Sequence, residues 1–144
     1  MKRSLRLFFD ANIYIAALAS PLGPSGRLLT LGLKKKFKII TTKFLLLEVE
    51  RNLQKKLPEA LSYFYQDVTL IDFELITEIK QELIKRYDKV INYQPDALVV
   101  AAAFQSQANY LVTLDKKHLL KEEVKQAINL PIKRPEELLK LFEK

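Results

Sequence analysis

The sequence predicts an α/β fold, a three-layer α/β/α sandwich around a parallel sheet. Two segments point to it first. Leu5-Arg-Leu-Phe-Phe-Asp10 and Tyr110-Leu-Val-Thr-Leu-Asp115 are short apolar, β-rich runs that stop at an acid, the pattern of a buried strand with a carboxylate at its end. The third observation is what separates such runs. Stretches with apolar residues at helical spacing alternate with them, and strands alternating with helices pair in parallel through right-handed crossovers.

Taken in order, the first strand ends at Phe9 and a helix follows through Ile15 and Leu18. Asp10 stands at the strand's carboxyl end, the edge where ligands bind in open α/β sheets, and a carboxylate there is costly to desolvate unless a cation or hydrogen-bond donors meet it. Its plainer role is a helix N-cap. Residues 19–26, rich in Pro, Gly and Ser, read as a loop, followed by a helix over 27–33 with Ser25 as its cap. The run Lys34-Lys-Lys-Phe-Lys38 leads into a second strand, Ile39-Ile-Thr-Thr, with Thr41 or Thr42 capping the next helix.

That helix, Lys43–Lys56, buries a stripe of Leu45, Leu46, Val49 and Leu53, with Glu48 and Glu50 on opposite shoulders. Spacing does not choose between the two acids. Pro58 opens a helix to about Tyr65. Residues 73–87 read as a longer amphipathic helix with Glu74, Glu78 and Glu82 on one face, and residues 88–93 as a weak strand or loop. Pro95 then starts a helix apolar nearly all round, on which Asp96 shares a face with Val99, Val100 and Ala103. This sets a carboxylate at the buried N-terminal end, where backbone N–H groups and the helix dipole favour its charge. The plainer reading is a first-turn acid. Asp115 repeats at its strand end the placement of Asp10. A short helix over 117–127, an edge strand over 129–132 and a helix over 135–142 complete the chain.

The 144 residues, 49% of them hydrophobic, suit a single domain over 1–144. Cysteine is absent and histidine occurs once, which removes disulfides and thiolate metal sites, argues against zinc, and makes the cytoplasm the expected location. The basic opening is not followed by an uninterrupted apolar run with a cleavage site, and no stretch is long enough to span a membrane. The net charge of +7 is uneven: residues 1–56 hold 12 Lys and Arg against 3 acids, and residues 57–144 hold 12 against 14. A basic half that contains Asp10 suits a polyanionic partner, and for a nucleic acid Arg27, Lys34, Lys35, Lys36 and Lys38 are the expected backbone contacts. The alternative is a lysine-rich solvated surface.

Asp10, Asp96 and Asp115 thus gather on the ligand side of the sheet, with a fourth acid on a nearby helix. Like charges at close range repel unless a cation offsets them. Oxygen ligands without a Cys or His cluster select Mg²⁺ or Mn²⁺, ions that bind phosphate esters and activate water. An acidic metal site in a basic surface is the charge pattern of a nuclease.

At Phe8-Phe-Asp-Ala-Asn-Ile13, Leu46-Leu-Glu-Val-Glu-Arg-Asn-Leu53, Asp96-Ala-Leu-Val-Val-Ala-Ala-Ala103 and Leu111-Val-Thr-Leu-Asp-Lys-Lys-His118 the chain resembles the PIN domain (PilT N-terminus) family, over nearly its whole length. The resemblance implies strand order 3-2-1-4-5 and Mg²⁺- or Mn²⁺-dependent cleavage of single-stranded RNA by Asp10, Glu48, Asp96 and Asp115, which also form the metal site. It selects Glu48 over Glu50. Asn12 and Thr113 match positions that support the acids, against plainer roles as a helix cap and a strand threonine. His118 matches a position often filled, without a metal role following. Leu114 stands where many members have Gly, which would narrow the approach to Asp115. The short basic form looks most like VapC-type toxins, so the expected partners are RNA, an antitoxin protein and a second copy in a homodimer. The alternatives are a housekeeping RNase of RNA processing, a non-catalytic RNA-binding module and a phosphotransfer domain. The last conflicts with Asn12 and with Asp10-Ala11, where phosphatases and receivers carry further acids.

Overall fold

The computed structural model describes residues 4–91 and 93–143. Its elements are β1 (Arg6–Phe9), α1 (Ala11–Ala19), α2 (Pro24–Leu33), β2 (Lys38–Thr42), α3 (Lys43–Lys56), a 3₁₀ turn at Pro58–Ala60, α4 (Leu61–Leu70), β3 (Glu74–Ile76), α5 (Gln81–Ile91), α6 (Gln94–Gln105), β4 (Tyr110–Val112), α7 (Glu122–Ala127), β5 (Ile132–Lys133) and α8 (Pro135–Leu139).

The five strands form one parallel sheet in the order β3-β2-β1-β4-β5. Phe8 of β1 lies between Ile40 of β2 and Leu111 of β4. A strand enclosed on both sides and both faces must be apolar throughout, and Leu7, Phe8 and Phe9 have no exposed surface. Right-handed crossovers place the helices that link β1, β2 and β3 on one face and those that link β3, β4 and β5 on the other. The packing agrees, with α1 against α2 and α3, and α5 against α6 and α7. Helix α6 is buried from Asp96 to Ala103 except at Leu98. The helix packs against β4 and α5, which sets where Asp96 enters.

The structure departs from the sequence reading in several places. The helix expected from Pro58 to about Tyr65 is a 3₁₀ turn followed by α4 to Leu70. The helix expected over 117–127 starts at Glu122, the strand expected over 129–132 is Ile132–Lys133, and the last helix ends at Leu139. Helix α2 begins at Pro24 rather than Arg27, with Gly23 as N-cap, so Ser25 is a buried helical residue and not the cap. Pro is suited to the first helical turn, and any Cβ on Gly26 would collide with the Pro21 backbone. Residues 73–87 are not one helix. Residues 74–76 pair with β2 as an edge strand and the helix starts at Gln81; Glu74 is drawn to the guanidinium of Arg6, a long-range contact that overrides the four-residue spacing of the glutamates. Residues 88–91 belong to α5 rather than to a strand. Asn92, within that expected strand or loop, lies outside the described residues, as do Met1 to Arg3 of the basic opening.

Thr42 is the cap of α3, its hydroxyl accepting from the Leu45 amide at 3.1 Å. Among the described residues no helix is long and apolar enough to cross a membrane.

Candidate active site

Because the strands are parallel, their carboxyl ends share one edge, and the residues that follow them meet there. Asp10 follows β1, residues 113–115 follow β4, α3 starts directly after β2 and carries Glu48 in its second turn, and α6 enters with Asp96 in its first turn. Asp10, Glu48, Asp96 and Asp115 line one open cavity of about 400 Å³, together with Asn12, Asn52, Lys56, Tyr93, Lys117 and His118. Glu50 points elsewhere and accepts a hydrogen bond from the Tyr65 hydroxyl at 2.7 Å. A larger cavity of about 630 Å³, lined by Lys80, Arg86, Gln105 and Gln107 among others, has Glu82 as its one acid among the described residues. The acids therefore converge on the smaller one.

Each aspartate is positioned differently. Asp10 is buried, caps α1 through the Ala11 amide at 2.8 Å, and accepts the Thr113 hydroxyl at 2.8 Å on its other oxygen. Asn12 reaches that oxygen at 3.5 Å and the Thr113 hydroxyl at 3.3 Å, while its own carbonyl accepts the Leu114 amide at 3.2 Å. The Thr113 oxygen also accepts the Asp115 amide at 3.1 Å. Asp115 accepts the amides of Lys117 and His118 on one oxygen at 3.0 and 2.9 Å, which fixes its carboxylate in a turn. Asp96 is 8% exposed, and its Oδ2 is fully buried with no hydrogen-bond partner.

Burial pushes the Asp96 carboxyl up to about 7, reinforced by the charges of Asp115 and Asp10. Burial likewise raises Asp10 to about 6, opposed by the bonds from Thr113 and Ala11 and aided by Glu48 and Asp115. Glu48 is raised by burial and eased by the nearby Arg51 charge. The cluster is thus short of positive charge.

His118 is the residue to which the sequence reading gives no part in the site. Its Nδ1 lies 3.2 Å from Asp96 Oδ2 and 3.3 Å from Asp115 Oδ2, and its ring stacks on Tyr93 with centroids 4.7 Å apart and planes at 14°. Ligand atoms of Asp96, Asp115 and His118 all fall within 4.8 Å of one another. Asp10 and Glu48 line the same cavity outside this close set. The i, i+3 spacing of Asp115 and His118 at a strand end is the available signal, because a turn there aims both side chains the same way.

The expected basic contacts are placed differently. Lys34 to Lys38 lie where α2 hands over to the start of β2, the sheet edge opposite the acids. They do not flank the site as expected. Lys38 pairs with Asp72 and Arg27 with Glu143, and neither lines the acidic cavity. Lys56 and Lys117 do. Leu114 also turns away, lining a separate small cavity with Ala16, Ser20 and Gly23, so it does not narrow the approach to Asp115.

Solved structures with this fold include the crystal structure of PAE2754 from Pyrobaculum aerophilum, 16% identical, with a TM-score of 0.68 over 97% of each chain. VapBC2 from Rickettsia felis, bound to a DNA fragment from their promoter, is 20% identical, with a TM-score of 0.61 over 90% of this chain and 98% of that one. A toxin–antitoxin complex from Klebsiella pneumoniae is 20% identical, with a TM-score of 0.57 over 81% and 92%. Curated protein sequences yield no significant match. A family model described as PIN domain matches residues 6–117, a span that begins with β1 and takes in all four acids. The chain belongs to the PIN domain family.

Proposed function

We propose that the chain is a metal-dependent endoribonuclease that hydrolyses phosphodiester bonds of single-stranded RNA, as the toxin of a toxin–antitoxin pair. The observation that carries this reading is the convergence of Asp10, Glu48, Asp96 and Asp115 in one cavity, with Asp96 Oδ2 buried and without a hydrogen bond. A buried acceptor without a partner costs on the order of 1–3 kcal/mol, more when charged, and a divalent cation offsets both that cost and the mutual repulsion. The donor set, dominated by carboxylate oxygens, fits Mg²⁺ or Mn²⁺. Asp96 and Asp115 would hold the ion, with Asp10 and Glu48 on the cavity wall beside it.

A bound divalent ion supplies charge against the phosphate and makes water a stronger nucleophile at neutral pH. The chain's own groups do the rest. Thr113 and the Ala11 amide hold Asp10 at one orientation. The raised basicity of Glu48 suits it to take the proton of the attacking water. Lys56 and Lys117 at the cavity wall hold the flanking phosphates. The toxin assignment is supported by the shared fold with VapBC2 and with the Klebsiella toxin–antitoxin complex. An antitoxin that inserts an Arg or Lys beside Asp96 would satisfy the same oxygen.

The test is incubation of the purified chain with single-stranded RNA in Mn²⁺ or Mg²⁺. Wild type should cleave, whereas chelator or Asp10→Asn should abolish cleavage. Intact RNA with both metals would refute the nuclease reading. For the antitoxin, excess Mn²⁺ should loosen a purified complex and Asp96→Ala should weaken it; indifference to both would place the inhibitor elsewhere.

A further inference from the structure

The imidazole of His118 turns one nitrogen toward both Asp96 and Asp115. Its Nδ1 is 3.2 Å from Asp96 Oδ2, yet that oxygen has no hydrogen-bond partner, so the two atoms approach without the alignment of a donor and its acceptor. The same nitrogen is in hydrogen-bond contact with Asp115 Oδ2 at 3.3 Å, so one imidazole nitrogen stands between two carboxylates whose ligand atoms lie within 4.8 Å of it and of each other. Ligands at right angles around an ion at about 2.1 Å stand about 3 Å apart, close to both separations. The ring is preset for the role: the His118 amide is held by Asp115 Oδ1 at 2.9 Å, and Tyr93 covers one ring face.

We infer that His118 Nδ1 is a direct ligand of the divalent ion held by Asp96 and Asp115, giving a mixed nitrogen and oxygen site that favours Mn²⁺ over Mg²⁺. The inference rests on the reading of these acids as a metal site. Its physical basis is the softer character of imidazole, which suits transition ions, whereas Mg²⁺ takes oxygen and water almost exclusively. An all-carboxylate site would discriminate less. Tyr93 acts as a positioning residue, since a ring stacked against a neighbour cannot rotate its nitrogen out of the site.

The chain's one histidine makes the test unambiguous. Untagged protein labelled with ¹⁵N-histidine is loaded with Mn²⁺, and the electron spin-echo spectrum is read for nitrogen coupling. A ¹⁵N coupling typical of a directly bound imidazole, preserved in Tyr93→Phe and absent in His118→Ala, is the expected result. The ratio of Mn²⁺ to Mg²⁺ affinity, measured calorimetrically, should fall at least about tenfold in His118→Ala. Should that variant fail to fold, the wild-type spectrum still decides. Stoichiometric Mn²⁺ binding that Asp96→Asn abolishes, with no ¹⁵N coupling and an unchanged affinity ratio in His118→Ala, would overturn the ligand role while leaving the metal site standing. Failure of Mn²⁺ to bind wild type at all would overturn the metal-site reading along with it.

Discussion

The Thr113 hydroxyl donates to Asp10 Oδ2 at 2.8 Å and accepts the Asp115 amide at 3.1 Å, so one oxygen ties together the acids that follow two neighbouring strands. This bond is the largest of the influences that hold down the Asp10 pKa against burial. Hydrogen bonds to charged groups contribute about 1.5–3 kcal/mol. In Thr113→Val the Asp10 carboxyl should therefore titrate at higher pH, with the acid limb of the rate profile moving upward and activity at neutral pH falling about tenfold or more. Thr113→Ser should restore both. A pH–rate series on the three proteins checks it.

Asp96 and Asp10 give the metal-free protein an inverted pH response. Both carboxyls are raised in the folded chain, to about 7 and about 6, from 3.8. Between about pH 4 and 7 the folded state binds more protons than the unfolded state, so stability falls as pH rises. Their contribution is fully present below about pH 4 and lost through pH 6 and 7. Melting temperature in chelator should drop between about pH 4 and 7, level off above that, and drop less in Asp96→Asn. Mn²⁺ should restore it more at the higher pH, because an ion needs ionised ligands and stabilises by mass action. A pH series of thermal melts with and without Mn²⁺ reads both effects.

How much of this site is legible in the sequence follows from how local each signal is. Asp10 and Asp115 end apolar runs and Asp96 opens an apolar helix, so three acids declare their places within a few residues. Glu48 and Glu50 differ only in which shoulder of α3 faces the cavity, which depends on how α3 packs; the family resemblance, not the helical wheel, separates them. Strand β3 reads as helix because Glu74, Glu78 and Glu82 repeat every four residues, while its actual determinants are the β2 edge and Arg6, distant in the chain. His118 escapes a sequence reading for the same reason, since Asp96 and Tyr93 come from another element. Charge counting locates a basic half but not its direction in space, and the sheet carries Lys34 to Lys38 to the far edge.

That placement gives a sharp contrast for RNA binding. Lys56 and Lys117 line the acidic cavity, whereas Lys34, Lys35 and Lys36 lie beyond the opposite ends of the strands. Removing one phosphate-binding cation should reduce the slope of log affinity against log salt by about 0.7 for single-stranded RNA. Lys56→Glu with Lys117→Glu should weaken binding and flatten that slope. The triple change of Lys34, Lys35 and Lys36 to Glu should leave both nearly unaltered. Fluorescence anisotropy across a salt series, on a chain with Asp10→Asn to prevent cleavage, distinguishes the two surfaces.

Glu48 and Asp96 should fail in different ways. Glu48 reaches the cavity from α3, outside the close set of Asp96, Asp115 and His118, and its carboxyl is made more basic by burial. As the proton acceptor for water it would be needed for turnover more than for holding an ion. Glu48→Gln, which keeps shape and removes basicity, should retain Mn²⁺ affinity within about tenfold while slowing cleavage by roughly 10²–10⁴-fold, the range of general base catalysis. Asp96→Asn should instead lose metal and cleavage together, because its Oδ2 is the buried oxygen that accepts no hydrogen bond within the protein. Arg51→Ala removes a charge that eases the Glu48 pKa, so the acid limb of the rate profile should shift to higher pH while Mn²⁺ binding is unaffected. Calorimetric Mn²⁺ affinities beside single-turnover rates decide the matter: equal loss of metal in Glu48→Gln and Asp96→Asn would make Glu48 a ligand and remove it as the base.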